Sequence, residues 1–247
     1  MTQHSIIILA GGDGKRMNSS IPKVCCLLGG KPLIVYIIER ALEIAPKDIF
    51  IVVGKHKKQI QETMSQYTSF NITYVEQTNP KGTGHALLCC LPYIICDKDE
   101  CRYLVLCGDV PLISKDLLTN LLNTNTNTIA VTYKDEPFGL GRVTKKDENT
   151  LDRIIEEKDC SDEEKQIKLT NCGIYTLTLC DIKHTILKMN NNNAQQEFYL
   201  PDIFHYISEY SKVNMYYIPK SLQYTTNGVN TQEQLKELET IYSSIFN

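Results

Sequence analysis

The sequence lacks both the long apolar runs and the excess of one charge that are typical of membrane or nucleic-acid-binding proteins. Its 247 residues contain 26 Lys and Arg against 29 Asp and Glu, so no basic field for nucleic-acid phosphates is expected. The longest apolar runs, such as Ser5–Ala10 and Ile49–Val53, are far shorter than the ~20 residues that cross a bilayer. The N-terminal segment has no basic start or cleavage site of a signal peptide. We therefore expect a cytoplasmic protein that binds neither nucleic acid nor membrane.

The spacings typical of structural zinc sites are also missing. No two of the ten cysteines form a Cys-x-x-Cys pair, and the five histidines form no His-x-x-x-His array. Because the cysteines lie in apolar runs and no secretion signal precedes them, we expect buried, reduced thiols. No Ser/His/Asp or Cys/His set is evident, and no repeat of 20–50 residues is found.

The composition that is present is ordinary for a globular protein, with 42% hydrophobic and 22% charged residues. The first half alternates apolar runs with helical spacing. We predict strands at Ile6–Leu9, Ile49–Val53, Ile72–Val75 and Tyr103–Leu106, and helices at Pro32–Ala45, Lys57–Gln66 and Gly84–Ile95. Repeated strand–helix units of this kind predict an α/β fold, with a mostly parallel central sheet and helices on both faces.

The pattern changes in the second half of the chain. A helix is predicted at Ser114–Leu122 and a strand at Ile129–Tyr133, followed by turn-rich segments with short strands. These strands are predicted near Gly141–Val143, Arg153–Glu156 and Thr170–Thr178, and closing elements at Ile182–Met189, Pro201–Tyr210, Val213–Ile218 and Thr231–Phe246. We predict a single domain over residues 1–247, with one part at about 1–112 and a smaller lobe with closing elements at about 113–247.

A glycine-rich loop follows the first strand in the segment LAGGDGKRM, residues 9–17. Glycines there let backbone N–H groups approach a phosphate or a base, and Arg16 and Lys23 supply positive charge. The segment is not a P-loop, because Leu9 and Arg16 stand where that motif needs Gly and Ser or Thr. It is not the dinucleotide fingerprint either, because Met17 occupies the position where that motif needs its last glycine. The alternative is a tight turn with solvated basic residues.

Two further segments follow predicted strands. Gln77 and the turn Gly82–His85 could present amides and a hydroxyl to a nucleobase, although such turns also cap helices; His85 is expected to serve packing or capping and not catalysis. Asp109 follows a buried strand in CGDVP, where metal-binding carboxylates lie in α/β enzymes. Magnesium prefers such oxygen ligands. The alternative for Asp109 is a cap of the next turn.

Several later segments are ambiguous when each is taken alone. They are Gly139–Arg142, Glu156–Asp159, Asn171–Tyr175 and Gly228–Asn230, and each is compatible with a turn or a solvated face. Glu156 and Asn171 carry groups that hydrogen-bond sugar hydroxyls or an amide.

Taken in order, these segments resemble the N-terminal uridyltransferase domain of the bacterial bifunctional enzymes that make UDP-N-acetylglucosamine. The resemblance runs from about Ser5 to Leu238. It is carried by LAGGDGKRM…PKV, Gln77 with GTGHA, GDVPL, GLGRV, IIEEKD, NCGIY, EFYLPDI and GVNTQEQL. It implies a Rossmann-like, GT-A-like nucleotidyltransferase fold. It also implies uridylyl transfer from UTP to N-acetylglucosamine 1-phosphate with Mg²⁺ as cofactor, the first part of the chain binding the nucleotide and the lobe binding the sugar.

The resemblance also implies roles for single residues. The nucleotide would be held by Leu9, Ala10, Gly11, Gly12, Gln77, Gly82, Thr83 and Gly108. Arg16 and Lys23 would act in catalysis on the triphosphate, and Asp109 and Asn230 would hold the metal ion. The N-acetylglucosamine moiety would contact Gly141, Glu156 and Asn171.

Some positions depart from the family pattern. Lys15 stands where the loop commonly has Thr, and Cys107 replaces an aromatic residue, but neither change removes a group that the chemistry needs. No hexapeptide repeats of the family's acetyltransferase domain appear before Asn247, so we expect a monofunctional enzyme. We also expect a monomer or small homo-oligomer without the trimerising β-helix, in the host cytoplasm if the source is viral. The alternatives are a sister enzyme that uses glucose 1-phosphate or dTTP, and a non-catalytic sugar-nucleotide sensor.

Overall fold

A computed structural model describes residues 3–17, 19–94 and 101–246 of the chain. The strands are β1 His4–Ala10, β2 Leu27–Leu28, β3 Lys31–Pro32, β4 Ile49–Val53, β5 Ile72–Glu76, β6 Arg102–Cys107, β7 Thr128–Tyr133, β8 Arg142–Lys145, β9 Leu151–Ile155, β10 Leu169–Thr178 and β11 Asn214–Tyr217. The α-helices are α1 Leu33–Leu42, α2 Lys57–Ser65, α3 Thr83–Cys90, α4 Lys115–Asn123, α5 Leu179–Thr185, α6 Asp202–Ser208 and α7 Gln232–Phe246. None of the helices in this described part is long and apolar enough to cross a membrane.

A nine-stranded sheet forms the centre of the fold. Its main path runs β11-β7-β10-β6-β1-β4-β5, and β8 and β9 extend from β10. Strands β6, β1, β4 and β5 are mutually parallel, and β11 is parallel to β7. On the main path, β10 alone is antiparallel to its neighbours β6 and β7. This mostly parallel α/β sheet confirms the predicted fold class.

Helices cover both faces of the sheet because the central strands are apolar on both sides. In β1, Ile7 packs into a cluster with residues of α3, α5 and α6, while Ile6 and Ile8 pack against α1, α2 and α4 on the opposite face. All three isoleucines are completely buried. A third, smaller cluster packs α7 against Leu28 and Leu33. The burial of alternate side chains into two cores is what stabilises a strand of continuous apolar residues.

The structure differs from the predicted elements at several points. Helix α1 begins at Leu33, because Pro32 belongs to β3. This strand forms with β2 a short hairpin of two residues per strand, which was not predicted. Helix α3 ends at Cys90, and the predicted end of this helix at Ile95 lies outside the described residues. Strand β10, which was predicted within the smaller lobe, lies in the middle of the main sheet.

The cysteines agree with the expected reduced state except at one position. Eight of them are free thiols, namely Cys25, Cys26, Cys89, Cys90, Cys107, Cys160, Cys172 and Cys180. Cys101 takes part in a disulfide bond, so the expectation of a reduced thiol is wrong for this residue. Cys96 lies outside the described residues.

Candidate active site

The candidate site begins where β1 and β6 end side by side. The backbone N–H of Gly108 donates to the carbonyl oxygen of Leu9 at 2.9 Å, so the two loops leave the sheet in contact. A Cβ at Gly108 would lie 2.9 Å from that oxygen and 3.2 Å from the Cβ of Ala10. Only glycine fits this approach without a shift of the backbone. Leu9, Ala10 and Gly108, three of the predicted nucleotide ligands, are therefore packed together.

The glycine loop itself adopts a conformation that larger residues disfavour. Gly14 has a φ of +59°, and its carbonyl oxygen accepts from the N–H of Met17 at 2.8 Å, which starts the single 3-10 turn Lys15–Met17. A Cβ at Gly11 would lie 3.0 Å from Oε1 of Gln77, whereas a Cβ at Gly12 would meet nothing within 4 Å beyond its chain neighbours. The loop therefore leaves open space beside Gly12, and its contact with a nucleotide stays a prediction.

Four side chains from three segments meet beside this loop. The ammonium of Lys23 forms an ion pair with the Asp109 carboxylate and donates to Oδ1 of Asn230 at 2.9 Å. The same Asn230 oxygen accepts from the Arg16 guanidinium at 3.2 Å. The side chains of Lys23 and Asp109 are only 15% and 16% exposed. The two predicted catalytic residues and the two predicted metal ligands therefore lie together.

Two hydrogen bonds of the backbone hold the segment of Asn230 beside Asp109. The N–H of Val229 donates to the Asp109 carbonyl oxygen at 2.9 Å, and Val229 is completely buried. The N–H of Asn230 donates to Oε1 of Gln234 at 2.7 Å, at the start of α7. Because Asp109 and Asn230 are 121 positions apart in the chain, it is this docking of the 228–230 segment that completes the cluster.

Gln77 lies at the end of β5 and is almost fully buried, with 4% of its surface exposed. Its side-chain N–H₂ donates to the carbonyl oxygen of Gly82 at 3.0 Å and contacts Nδ1 of His85 at 2.9 Å. Its Oε1 borders Gly11. Gln77 thus joins the glycine loop to the Gly82–His85 turn. His85 packs in this junction, where burial and Lys81 lower its pKa, in keeping with the predicted packing role.

The Gly82–Thr83 turn is held by a segment near residue 198. The N–H of Gly84 donates to the carbonyl oxygen of Phe198 at 2.7 Å, and Thr83 Oγ1 accepts from the N–H of Leu200 at 3.0 Å. Gly82 has a φ of +103°, and a Cβ there would lie 2.5 Å from the same Phe198 oxygen. The turn therefore needs glycine both for its conformation and for this close contact.

The three predicted sugar ligands also lie together, at the ends of β8, β9 and β10. The N–H of Asn171 donates to the carbonyl oxygen of Gly141 at 2.9 Å. A Cβ at Gly141 would meet Oε1 of Glu156 at 3.4 Å and the Cβ of Asn171 at 3.6 Å. The side-chain N–H₂ of Asn171 donates to the hydroxyl of Tyr175 at 2.7 Å. Their proposed contacts to a sugar stay a prediction, whereas their mutual proximity is observed.

Glu156 has an electrostatic environment that favours its neutral form. Burial, together with the nearby carboxylates of Asp202, Asp159 and Glu197, raises the pKa of Glu156 to about 7. Burial and Asp159 likewise raise the pKa of Asp202 to about 6. A carboxyl group that is removed from water and surrounded by like charge binds its proton more tightly. Glu156 therefore lies among carboxylates, whereas Lys23 and Arg16 lie beside the glycine loop.

Cys107 lies between the cluster of Lys23 and Asp109 and the group of Gly141, Glu156 and Asn171. It ends β6 two residues before Asp109, and its thiol donates to the carbonyl oxygen of Gly173 at 3.5 Å. Gly173 lies in an irregular stretch of β10 between Asn171 and Tyr175 and has a φ of +69°. A Cβ at Gly173 would lie 3.0 Å from the Cys107 sulfur. The bulge thus brings the Asn171 end of β10 next to the strand that carries Asp109.

Sequence reasoning missed several residues that border this site. The segment EFYLPDI carried the resemblance but received no role, and it contains Glu197, Tyr199 and Asp202. These residues are close to Glu156 through long-range packing. Lys134 was also missed. It donates to Oδ1 of Asn227 at 2.9 Å, and burial lowers its pKa. Its position directly after β7 is the signal that could have pointed to it.

Comparison with known proteins identifies relatives of this chain. The family model of the MobA-like NTP transferase domain matches residues 6–185. The chain belongs to this nucleotidyltransferase family. It is similar to the probable UDP-N-acetylglucosamine pyrophosphorylase of Acanthamoeba polyphaga mimivirus, with 36% identity over 96% of this chain and 95% of that protein.

Further matches extend the comparison. The chain is 37% identical to the bifunctional protein GlmU of Francisella philomiragia over 95% of its own length and 51% of that protein. It is also 37% identical to GlmU of Neisseria meningitidis serogroup C, over 97% of its own length and 51% of that protein. The chain thus spans about half the length of these bifunctional relatives. A crystal structure of UDP-glucose pyrophosphorylase complexed with UDP-glucose matches with a TM-score of 0.79 at 19% identity, covering 99% of both chains. This structural likeness supports the fold.

Proposed function

We propose that the protein transfers a uridylyl group from UTP to N-acetyl-α-D-glucosamine 1-phosphate, giving UDP-N-acetylglucosamine and pyrophosphate. The observation that carries this proposal is the meeting of Lys23, Arg16, Asp109 and Asn230 beside a glycine loop. A second group of hydrogen-bonding residues around Glu156 lies across Cys107 from it. The specific sugar comes from the name of the mimivirus relative, which is similar over nearly the whole chain, and from the GlmU relatives.

The donor set at Asp109 and Asn230 fits a magnesium ion. Both side chains offer oxygen atoms, and these oxygens already converge on one cation, the Lys23 ammonium. The described residues contain no group of three or more His, Cys, Asp or Glu side chains that could hold a metal ion. A site with one carboxylate and one amide oxygen suits an ion that completes its coordination with substrate phosphates and water.

In the proposed reaction the sugar phosphate oxygen attacks the α-phosphorus of UTP in line, and pyrophosphate leaves. A phosphate monoester is already a nucleophile at neutral pH, so the protein contributes positioning and charge stabilisation. Lys23 and Arg16 would neutralise the phosphates. Bound Mg²⁺ would supply further charge neutralisation at Asp109 and Asn230. The repulsion between two polyanions would thereby be offset.

The remaining predicted ligands would orient the two substrates. The backbone of Leu9, Ala10, Gly11 and Gly12, together with Gln77, Gly82, Thr83 and Gly108, would hold the uridine. Gly141, Glu156 and Asn171 would hydrogen-bond the N-acetylglucosamine moiety.

The test is a substrate panel with pyrophosphate release as the readout. With Mg²⁺ and UTP, N-acetylglucosamine 1-phosphate should give faster release than glucosamine 1-phosphate or glucose 1-phosphate, and UTP should be preferred over dTTP. A preference for glucose 1-phosphate or for dTTP would show a sister nucleotidyltransferase instead. Binding of UDP-N-acetylglucosamine without pyrophosphate release from any pair would indicate a sensor.

The assignment of Asp109 can be tested in the same assay. Asp109→Asn keeps the shape of the side chain but removes the negative charge, so turnover should fall at least ~100-fold. Activity close to that of the wild type in folded Asp109→Asn protein would exclude Asp109 from the reaction.

A further inference from the structure

The Lys23 ammonium occupies the position that a metal ion needs. It contacts a carboxylate oxygen of Asp109 and, at 2.9 Å, the amide oxygen of Asn230, and these are the two oxygens of the proposed metal site. The ion pair is largely shielded from water, since the Lys23 and Asp109 side chains are 15% and 16% exposed. The free protein therefore already has a cation between its proposed metal ligands.

An ammonium and a divalent ion cannot share these oxygens. Magnesium needs oxygen ligands at about 2.0–2.1 Å. With the ammonium still paired to Asp109, the two cations would lie within a few ångströms of each other in a partly buried site, where charge repulsion is strong. Lys23 must therefore leave Asp109 and Asn230 before a metal ion can be held by both.

The structure also provides a destination for the displaced ammonium. A Cβ at Gly14 would lie 3.0 Å from the Cβ of Lys23, so the Lys23 stem runs directly beside the glycine loop. A lysine carries its charge on a flexible four-carbon stem. A triphosphate bound over this loop would thus lie within reach of Lys23 after a rotation of its side chain alone.

We propose that Lys23 is the resident counter-ion of the metal site. It neutralises Asp109 in the free protein and is drawn away by the triphosphate, so that metal ion and nucleotide enter together. This inference rests on the proposed function, because it takes Asp109 and Asn230 as the metal ligands. It goes beyond that function in predicting that the free protein disfavours the metal ion because of Lys23.

The experiment measures binding of Mn²⁺, as a paramagnetic probe for Mg²⁺, to the protein without nucleotide. Free Mn²⁺ is determined by electron paramagnetic resonance for wild type, Lys23→Met and Lys23→Gln, each checked for folding by circular dichroism. Both variants should bind Mn²⁺ at least about tenfold more tightly than wild type, because the competing charge is gone.

Lys55→Met is the matched control. It removes the same charge from the same edge of the sheet, but the Lys55 ammonium is paired with Asp13 at 3.0 Å, and its side chain is 60% exposed. Its Mn²⁺ affinity should stay within about twofold of wild type, because exposed charges are screened by solvent. An equal gain in the control would mean that the effect is one of net charge and would overturn the inference.

Asp109→Asn separates failure of the inference from failure of the proposed metal site. In the Lys23→Met background it should abolish the gain in Mn²⁺ affinity. If Lys23→Met and Lys23→Gln bind Mn²⁺ no more tightly than wild type while Asp109→Asn removes binding, the counter-ion role is refuted and the metal site stands. If Asp109→Asn leaves the affinity of Lys23→Met unchanged, the metal ion binds elsewhere and both are refuted.

Discussion

The raised pKa of Glu156 makes a quantitative prediction about stability. In the folded protein this carboxyl keeps its proton up to about pH 7, whereas in the unfolded chain it titrates near 4.5. Between these two values the folded state binds more protons than the unfolded state. The free energy of unfolding that comes from this group is therefore fully present below pH 4.5 and is lost as the pH rises through 7.

Glu156→Gln removes this dependence because an amide of the same shape does not titrate. The shift from 4.5 to about 7 corresponds to at most about 3 kcal/mol of stability lost by the wild type at high pH. The variant should therefore be more stable than wild type at pH 8, by up to this amount, and should lose the advantage by pH 4.5. Asp202 titrates in both proteins, so only its coupling to Glu156 enters the difference.

The assay is urea unfolding of both proteins at half-unit steps from pH 4.5 to 8. Glu136→Gln, a change of the same charge at an exposed position, is the control and should alter the free energy of unfolding by less than about 0.5 kcal/mol at every pH. A Glu156→Gln variant whose stability difference does not change with pH, or which is less stable than wild type at pH 8, would refute the electrostatic reasoning.

Three further predictions test the site and its supports. Lys23→Ala should lower turnover in pyrophosphate release at least ~100-fold, because it removes one charge-stabilising group; near-normal turnover would remove Lys23 from the mechanism. Gly82→Ala should lower the free energy of unfolding by ~2 kcal/mol or more, whereas Gly30→Ala, with positive φ but open space around it, should cost only ~1 kcal/mol; equal losses would contradict the steric argument. Arg142→Met should cost ~3 to 5 kcal/mol, because the Arg142 side chain is only 2% exposed and its loss breaks a shielded ion pair with Glu157. Arg153→Met, which breaks the pair of an exposed arginine with Glu164, should lower the free energy of unfolding by less than ~1 kcal/mol. A similar loss in both variants would refute the burial argument.

The parallel part of the fold was readable from the sequence because its signals are local. Strand β4 has the predicted bounds Ile49–Val53, since a continuous apolar run followed by glycine indicates a strand buried on both faces. Asp109 and the glycine loop were located by the same logic, because ligands bind beyond the carboxyl ends of parallel strands. These inferences need only residues close together in the chain.

The position of β10 could not be read in this way. It pairs antiparallel with β6, Tyr175 opposite Val105, and with β7, Leu169 opposite Tyr133. Such pairing depends on contacts between residues tens of positions apart. Because β10 runs antiparallel to β6 and β7, the first residues of β10 lie at the carboxyl ends of these two strands. The rule for parallel strands therefore does not locate Asn171, and only the resemblance decided between a role in the site and a solvated turn for that residue.

In the proposed reaction, the separation of charge across the site would constrain how a sugar phosphate enters it. Lys23 and Arg16 lie on the side of the glycine loop, whereas Glu156 shares its side with Asp159, Glu197 and Asp202. A phosphate dianion on the acidic side would face several carboxylates in a partly buried environment, where charge repulsion is strong. In the proposed reaction the phosphate must therefore point to Lys23 and the uncharged ring to Glu156. This orientation would also direct the attacking oxygen toward the nucleotide, so in the proposed reaction the charge pattern would favour the reactive arrangement over its reverse.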